Sequence, residues 1–204
     1  MWLIIIIFCC IHLYLLNRTP KWFFSISRLL PIALILGDVV TNTQLSTTAT
    51  LLLSLGLLCA ALGDSLLFGT EKTYTPGFIA LLSAHLAFFG SFVNQIHHEP
   101  TLWLSVVVVS IGVIIYLLLL PILGERKLPV AAYLITICLT IWATTEYWIN
   151  THSQSAFLGL LGGFALIFYG ILISTRRSHI FGQYSPYIIT LSYFTAQTLL
   201  AFAI

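Results

Sequence analysis

The chain reads as all-α: a polytopic transmembrane helical bundle of eight spans, with the marks of a parallel 4+4 internal repeat. Three observations predict this. Charged residues make up only 7% of the 204 and hydrophobic ones 59%, at a mean hydropathy of +1.04, whereas soluble domains carry about a quarter charged residues. Apolar runs recur along the whole length, separated by short polar or turn-forming connections. Basic residues fall only in alternate connections, apart from one inside a run. A hydrocarbon solvent offers the backbone no hydrogen-bond partners, so spans are helices or a closed barrel. The short alternating segments of a barrel are absent. One integral membrane domain, residues 1–204, is expected, with no room for a soluble one.

Eight runs can be placed in order. The first, 2–16, is short for a span. It has no basic flank and no cleavage site, so it is expected to be retained rather than removed as a signal peptide. The second, 22–40, follows the breaker Asn17-Arg18-Thr19-Pro20 and opens on Trp22-Phe23-Phe24, aromatics suited to a membrane interface. The third is 47–68, and Thr75-Pro76-Gly77 opens the fourth, 76–94. Glu99-Pro100 precedes the fifth, 101–120; the sixth and seventh are 129–148 and 155–174. Ser185-Pro186 opens the eighth, 185–204. Most are near the roughly 20 residues that a bilayer crossing requires.

Arg18 and Lys21 lie between runs 1 and 2, Lys72 between 3 and 4, Arg126 and Lys127 between 5 and 6, and Arg176 and Arg177 between 7 and 8. The even-numbered connections hold no Lys or Arg. The positive-inside rule then puts the odd connections in the cytoplasm and both termini outside, in a bacterial plasma membrane. Leu30-Pro31-Ile32-Ala33 is echoed by Leu128-Pro129-Val130-Ala131 four runs later. Such a repeat would relate two parallel halves about the membrane normal. Cys9, Cys10, Cys59 and Cys138 sit in apolar runs without metal-ligand spacing and read as small hydrophobes.

The residue that asks for an explanation is Asp64, set near the end of the apolar stretch Leu57–Phe68. A carboxylate in a membrane helix costs about 2.5–3.5 kcal/mol on insertion scales and marks a candidate functional site. Converted to depth at about 1.5 Å per residue, Asp64 lies roughly 6 Å inside the cytoplasmic end, Arg28 about 9 Å and His85 about 13 Å. Tyr133, Tyr169 and Tyr193 share that layer. Asp38 and Glu146 fall near the opposite end. Bland alternatives stand beside each of these residues. Asp64 and Arg28 would serve equally as a structural pair, Arg28 could snorkel to headgroups, His85 could be a packed core histidine, and tyrosines often only pack. Burial favours a neutral acid and a neighbouring guanidinium a charged one. His97-His98-Glu99 reads as a solvated loop. With no G-x-S-x-G, HExxH or phosphate-binding glycine loop, serine, zinc and nucleotide chemistry are unsupported. Acid–base chemistry beside a membrane surface is what remains.

Four ordered motifs carry a resemblance. They are Leu62-Gly63-Asp64, Ser83-Ala84-His85-Leu86, Pro129-Val130-Ala131-Ala132-Tyr133 and Ser192-Tyr193-Phe194-Thr195-Ala196-Gln197. In this order the chain resembles the YhhN/lysoplasmalogenase family of eight-span membrane proteins. The resemblance implies a hydrolase that cleaves the vinyl-ether bond of lysoplasmalogens to an aldehyde and a glycerophospho-alcohol. It implies a lysophospholipid or ether-lipid partner within the bilayer, and no cofactor, metal or nucleic acid is expected. Asp64 would be the general acid and His85 the water-orienting or base residue. Arg28 would contact phosphate, and Tyr133, Tyr169, Tyr193 and Gln197 would position substrate. Two departures accompany it. The family's second acid, in a Ser-Asp pair, aligns with Tyr169-Gly170, and its Lys before the span-2 proline aligns with Leu30. The alternative is a non-catalytic lipid-binding or transport protein of the same fold.

Overall fold

The computed structural model of the protein describes residues 2–16, 21–42, 47–67, 71–124, 127–175 and 184–203. Among these, eight helices follow one another: α1 (Trp2–Leu15), α2 (Lys21–Asn42), α3 (Thr47–Leu67), α4 (Glu71–Val93), α5 (Leu102–Leu123), α6 (Lys127–Thr151), α7 (Gln154–Thr175) and α8 (Ser185–Phe202). Every expected run is a helix, and the connections are short. The main difference is at prolines: Pro76, expected to open a span, lies inside α4, and Pro121 lies inside α5. A proline near a helix end removes few backbone bonds, so the helix runs through it. Arg18, Arg126, Arg176, Arg177 and the breaker at 17–20 lie outside the described residues.

Among the described residues, five helices are long and apolar enough to cross a membrane: Thr48–Leu67, Lys72–Val93, Leu102–Leu123, Lys127–Thr151 and Gln154–Thr175. Of the others, α2 has the length, at 22 residues. The 14 residues of α1 span only about 21 Å, and Ser, Thr, Tyr and Gln side chains dilute the hydropathy of α8. Outward faces are apolar, most plainly on α5, where Trp103, Val106, Val109, Val113 and Leu117 are exposed. That is the surface a lipid solvent calls for. The cysteines are only partly in the interior: Cys9, Cys59 and Cys138 are half-buried and Cys10 is exposed.

Packing follows a regular scheme. The most extensive pairs are α3 with α4 and α7 with α8. Contacts of α1 with α2 are matched by α5 with α6, those of α2 with α3 by α6 with α7, and those of α2 with α8 by α6 with α4. These four partnerships thus have counterparts four helices along, as the Leu-Pro-x-Ala echo leads one to expect. Contacts of α1 with α8 and of α5 with α7 have no such match of comparable extent.

Small residues set the closest approaches, as they do where apolar solvent gives helices no hydrophobic drive to associate. On α3, a Cβ added to Gly63 would stand 2.8 Å from the Gly77 carbonyl oxygen and 2.9 Å from the Leu81 backbone nitrogen. Gly77 in turn faces the Gly63 carbonyl at 3.0 Å. The two backbones touch one residue before Asp64. Elsewhere Gly163 of α7 lies against Thr144 of α6, and Gly162 against Leu200 of α8. Hydroxyls add bonds between helices: Ser91 Oγ donates to the Ala49 carbonyl at 2.8 Å, and Thr140 Oγ1 to the His85 carbonyl at 2.9 Å. Because backbone rather than a flexible side chain blocks the space at Gly63, Gly63→Val is expected to cost about 1–3 kcal/mol or more. Denaturant titration in detergent checks this, and Gly37→Ala, where the added Cβ has nothing within 4 Å, is the control expected to change little.

Candidate functional site

Asp64 sits one turn from the end of α3 and is completely buried. Its two oxygens are held from different helices. Arg28, on the second turn of α2, donates from Nε to Oδ2 and pairs with that oxygen through Nη2 as well. The Tyr169 hydroxyl of α7 donates to Oδ1 at 2.7 Å. Since α3 and α7 share no close backbone packing, these side chains bridge the space between them. Tyr193 of α8 completes this half: its ring centroid is 5.4 Å from that of Tyr169, and the Arg28 guanidinium carbon lies 5.9 Å from its face. A cation over an aromatic face at that range is attracted by the ring quadrupole.

The second half lies between α4 and α6. The rings of His85 and Tyr133 are 5.1 Å apart, with Phe78 and Phe88 against their far sides at 5.5 and 6.2 Å. Neither ring nitrogen of His85, nor the Tyr133 hydroxyl, has a hydrogen-bond partner among the described residues. Thr140 ties α6 to the His85 carbonyl and thereby sets the level of the imidazole. Gly170 joins the two halves. It follows Tyr169 on α7, and a Cβ there would stand 2.7 Å from Ile137 Cδ1 and 3.2 Å from Tyr133 Cε1. Tyr133 and Ile137 thus fill the space a side chain at 170 would need. Gln197, one turn beyond Tyr193, is buried with its Oε1 unpartnered.

Of the candidates read from the sequence, Arg28, Asp64, Tyr169 and Tyr193 meet toward the end of the bundle where α2, α4, α6 and α8 begin; His85, beside Tyr133, and Gln197 lie deeper along α4 and α8, and none is more than 2% exposed. Tyr169 has a protein partner in Asp64, which the sequence did not reveal. Arg28 engages the acid despite the offset from the family's lysine position. Glu146 is at the opposite end, buried, and accepts from the Thr101 amide at 3.0 Å and its hydroxyl at 2.8 Å, closing the start of α5. His97, His98 and Glu99 are exposed. Three contributors went unread: Thr140, His12, and Ser27, whose Oγ lies 2.8 Å from His12 Nδ1 one residue before Arg28. The spacing of Thr136, Thr140 and Thr144 on the α6 face that carries Tyr133 was the available signal for the first. A separate apolar groove of about 490 Å³ between α5 and α6, lined by Val108, Gly112, Tyr116, Leu134, Cys138 and Trp142 among others, includes none of the candidates.

A polytopic helical membrane protein with a buried carboxyl, imidazole and phenols is the class that fold and site define. The model of the YhhN family matches residues 23–204, and the chain belongs to that family. Human lysoplasmalogenase TMEM86B is 28% identical over 139 residues, which cover 67% of this chain and 60% of that protein. The chain thus matches less than two thirds of that relative's length. No solved structure matches the chain.

The buried pair makes a sharp stability expectation. Removing one partner strands a charge in the interior, at about 3–5 kcal/mol, whereas replacing both by apolar residues of similar size is often neutral. Asp64→Leu and Arg28→Met should each be strongly destabilised, and the double variant should unfold near the wild-type midpoint in a detergent titration. Additive losses would show that the two charges are not coupled. At Gly170, Gly170→Asp should lose about 1–3 kcal/mol from overpacking, and Ile137→Ala should recover part of it in the same assay.

Proposed function

We propose that the protein hydrolyses the vinyl-ether bond of lysoplasmalogens within the membrane, with Asp64 as its acid–base centre. The observation that carries this reading is the carboxyl shared between Arg28 and Tyr169, in a YhhN-family chain whose α4 and α6 also bury an imidazole against a phenol. The name of the human relative, a lysoplasmalogenase, supports the choice of substrate. In this reading the lipid comes from the cytoplasmic leaflet, the side on which the basic connections are expected to lie. It enters where α2 and α8, which pack less extensively than α7 and α8, bring Arg28 and Tyr193 together, and because the site residues are buried these helices part to admit it.

Arg28 has two claims on it, and they fit one sequence of events. In the unoccupied protein it balances Asp64. A lysolipid brings a phosphate that competes for the guanidinium, a group whose fork suits phosphate as well as carboxylate. Transfer of Arg28 to phosphate leaves a buried carboxyl without its counter-charge, the condition under which it holds a proton. The acid then protonates the enol-ether carbon distant from oxygen, and the resulting oxocarbenium ion sits beside the newly formed carboxylate. Water held by His85 adds to the cationic carbon and returns a proton to Asp64. The hemiacetal so formed breaks its bond to the glycerol oxygen, releasing aldehyde and alcohol. Tyr169 keeps the carboxyl oriented, Tyr193 supports Arg28, and Tyr133 and Gln197 position the substrate. No nucleophilic serine or cysteine is needed.

A second reading is a non-catalytic lipid-binding or transport protein. It is favoured by position 170, where glycine stands with Tyr133 and Ile137 packed into the space a second acid would occupy. Purified protein incubated with a lysoplasmalogen distinguishes the two. Release of aldehyde by the wild type, reduced about 100-fold or more in Asp64→Asn, is the result expected of the hydrolase. Equal rates would remove Asp64 from the chemistry, and lysolipid recovered bound and intact after long incubation would favour the carrier. Arg28→Lys, which keeps the charge but loses the fork, should raise KM for the phospholipid more than it lowers kcat.

A further inference from the structure

Helical serines and threonines in this protein ordinarily return their hydroxyls to the backbone. Thr136, Thr140, Thr144, Thr145, Thr175 and Ser192 all donate to a carbonyl three or four residues earlier. Ser54 and Ser65 of α3, Ser174 of α7 and Thr190 of α8 do not: their hydroxyls are buried and have no partner among the described residues. Ser174 and Thr190 lie on neighbouring helices and are themselves buried residues. The Tyr193 hydroxyl and Gln197 Oε1 are likewise buried without a partner among the described residues. Thr190, Tyr193 and Gln197 are spaced at i, i+3 and i+7, so they share one face of α8 over about 10 Å of its length. Ser174 is the next-to-last residue of α7, and the end of α7 adjoins the start of its neighbour α8. With the Tyr133 hydroxyl and both nitrogens of His85, the bare polar atoms run from the end of the bundle where α8 begins to the layer of Asp64.

An unpaired buried hydroxyl or amide costs about 1–3 kcal/mol, and buried polar groups in native proteins are nearly always satisfied, by water where protein does not reach. A single such atom would be unremarkable. A line of them on one helix face, leading to an acid, calls for a ligand with many small donors and acceptors. We infer that Ser174, Thr190, Tyr193 and Gln197, with Tyr133 and His85, bind a file of water inside the bundle, entering beside the start of α8 and ending at Asp64. About three waters, each making about three hydrogen bonds, would satisfy the set. This deepens the hydrolase reading and, in its use, rests on it: hydrolysis in hydrocarbon consumes one water per turnover, and the file supplies that water to His85. Its apolar surroundings keep the supply narrow, so that lipid and water reach the acid from different helix pairs.

Hydroxyl-radical footprinting of the full chain in lipid nanodiscs, without lysolipid, tests this, because radicals made from bound water label adjacent side chains even when these are buried. Tyr193 and Tyr133 should label several-fold faster than Phe92, which is equally buried but packs against Tyr147, away from the file. Thr190→Val should reduce Tyr193 labelling several-fold and leave Phe92 unchanged; Ser174→Ala serves the same purpose should Thr190→Val fail to fold. Tyr193 labelling no faster than Phe92, or labelling indifferent to both substitutions, would overturn the file. In the aldehyde assay Thr190→Val should lower kcat several-fold at constant KM. Labelled Tyr193 in a protein that releases no aldehyde would sink the hydrolase reading and leave the water file standing.

Discussion

A carboxylate and a guanidinium buried together in an apolar bundle constrain everything around them. Neither would be tolerated alone at that depth, since an isolated charge in hydrocarbon costs several kcal/mol after all relaxation. Together they form a neutral unit, and the Tyr169 hydroxyl occupies the carboxyl oxygen that Arg28 leaves. The requirement that all three arrive at one point dictates which helices meet there. Arg28 comes from α2, Asp64 from α3, Tyr169 from α7, and the supporting ring of Tyr193 from α8. Two of these belong to each half of the chain.

The backbone arrangement serves that convergence. Glycines bring α3 against α4 beside Asp64, and α7 against α6 and α8, while α3 and α7 stay apart. Between them the Tyr169 hydroxyl reaches Asp64. A centre built this way holds its members by specific hydrogen bonds, and exchange of one partner for another, such as phosphate for carboxylate on Arg28, rearranges side chains without unpacking a helix. The scheme of contacts repeated four helices along suggests why the site lies between the halves. Position 170, where the family resemblance places a second acid, is a glycine with Tyr133 and Ile137 packed against it.

Much of this was legible in the sequence, and for definite reasons. The eight helices follow from apolar runs of fixed length, because the bilayer permits little else. That Arg28, Asp64, Tyr169 and Tyr193 come near one another followed from counting residues inward from the ends of the runs, whereas His85 lies deeper, against Tyr133. Depth, however, says nothing about azimuth. The sequence left Arg28 open between Asp64 and a phosphate, and it is found on Asp64; that Tyr169 donates to the same acid was not legible. Which side chains touch within a layer depends on helix rotation, set by contacts such as Gly63 on Gly77 that no single position announces. Thr190 and Ser174 were likewise silent, since a helical hydroxyl returned to its own backbone and one turned inward look alike in a sequence.

The protein has only two aspartates, Asp38 and Asp64, which makes the central claim directly measurable. In an Asp38→Asn background labelled with [13C]aspartate, difference infrared spectroscopy reads the ionisation of Asp64 alone. The free protein should show a carboxylate, and adding a non-hydrolysable alkyl-ether lysophospholipid should convert it to the protonated-acid band as phosphate draws Arg28 away. A carboxylate signal unmoved by a saturating amount of bound lysolipid would contradict the account.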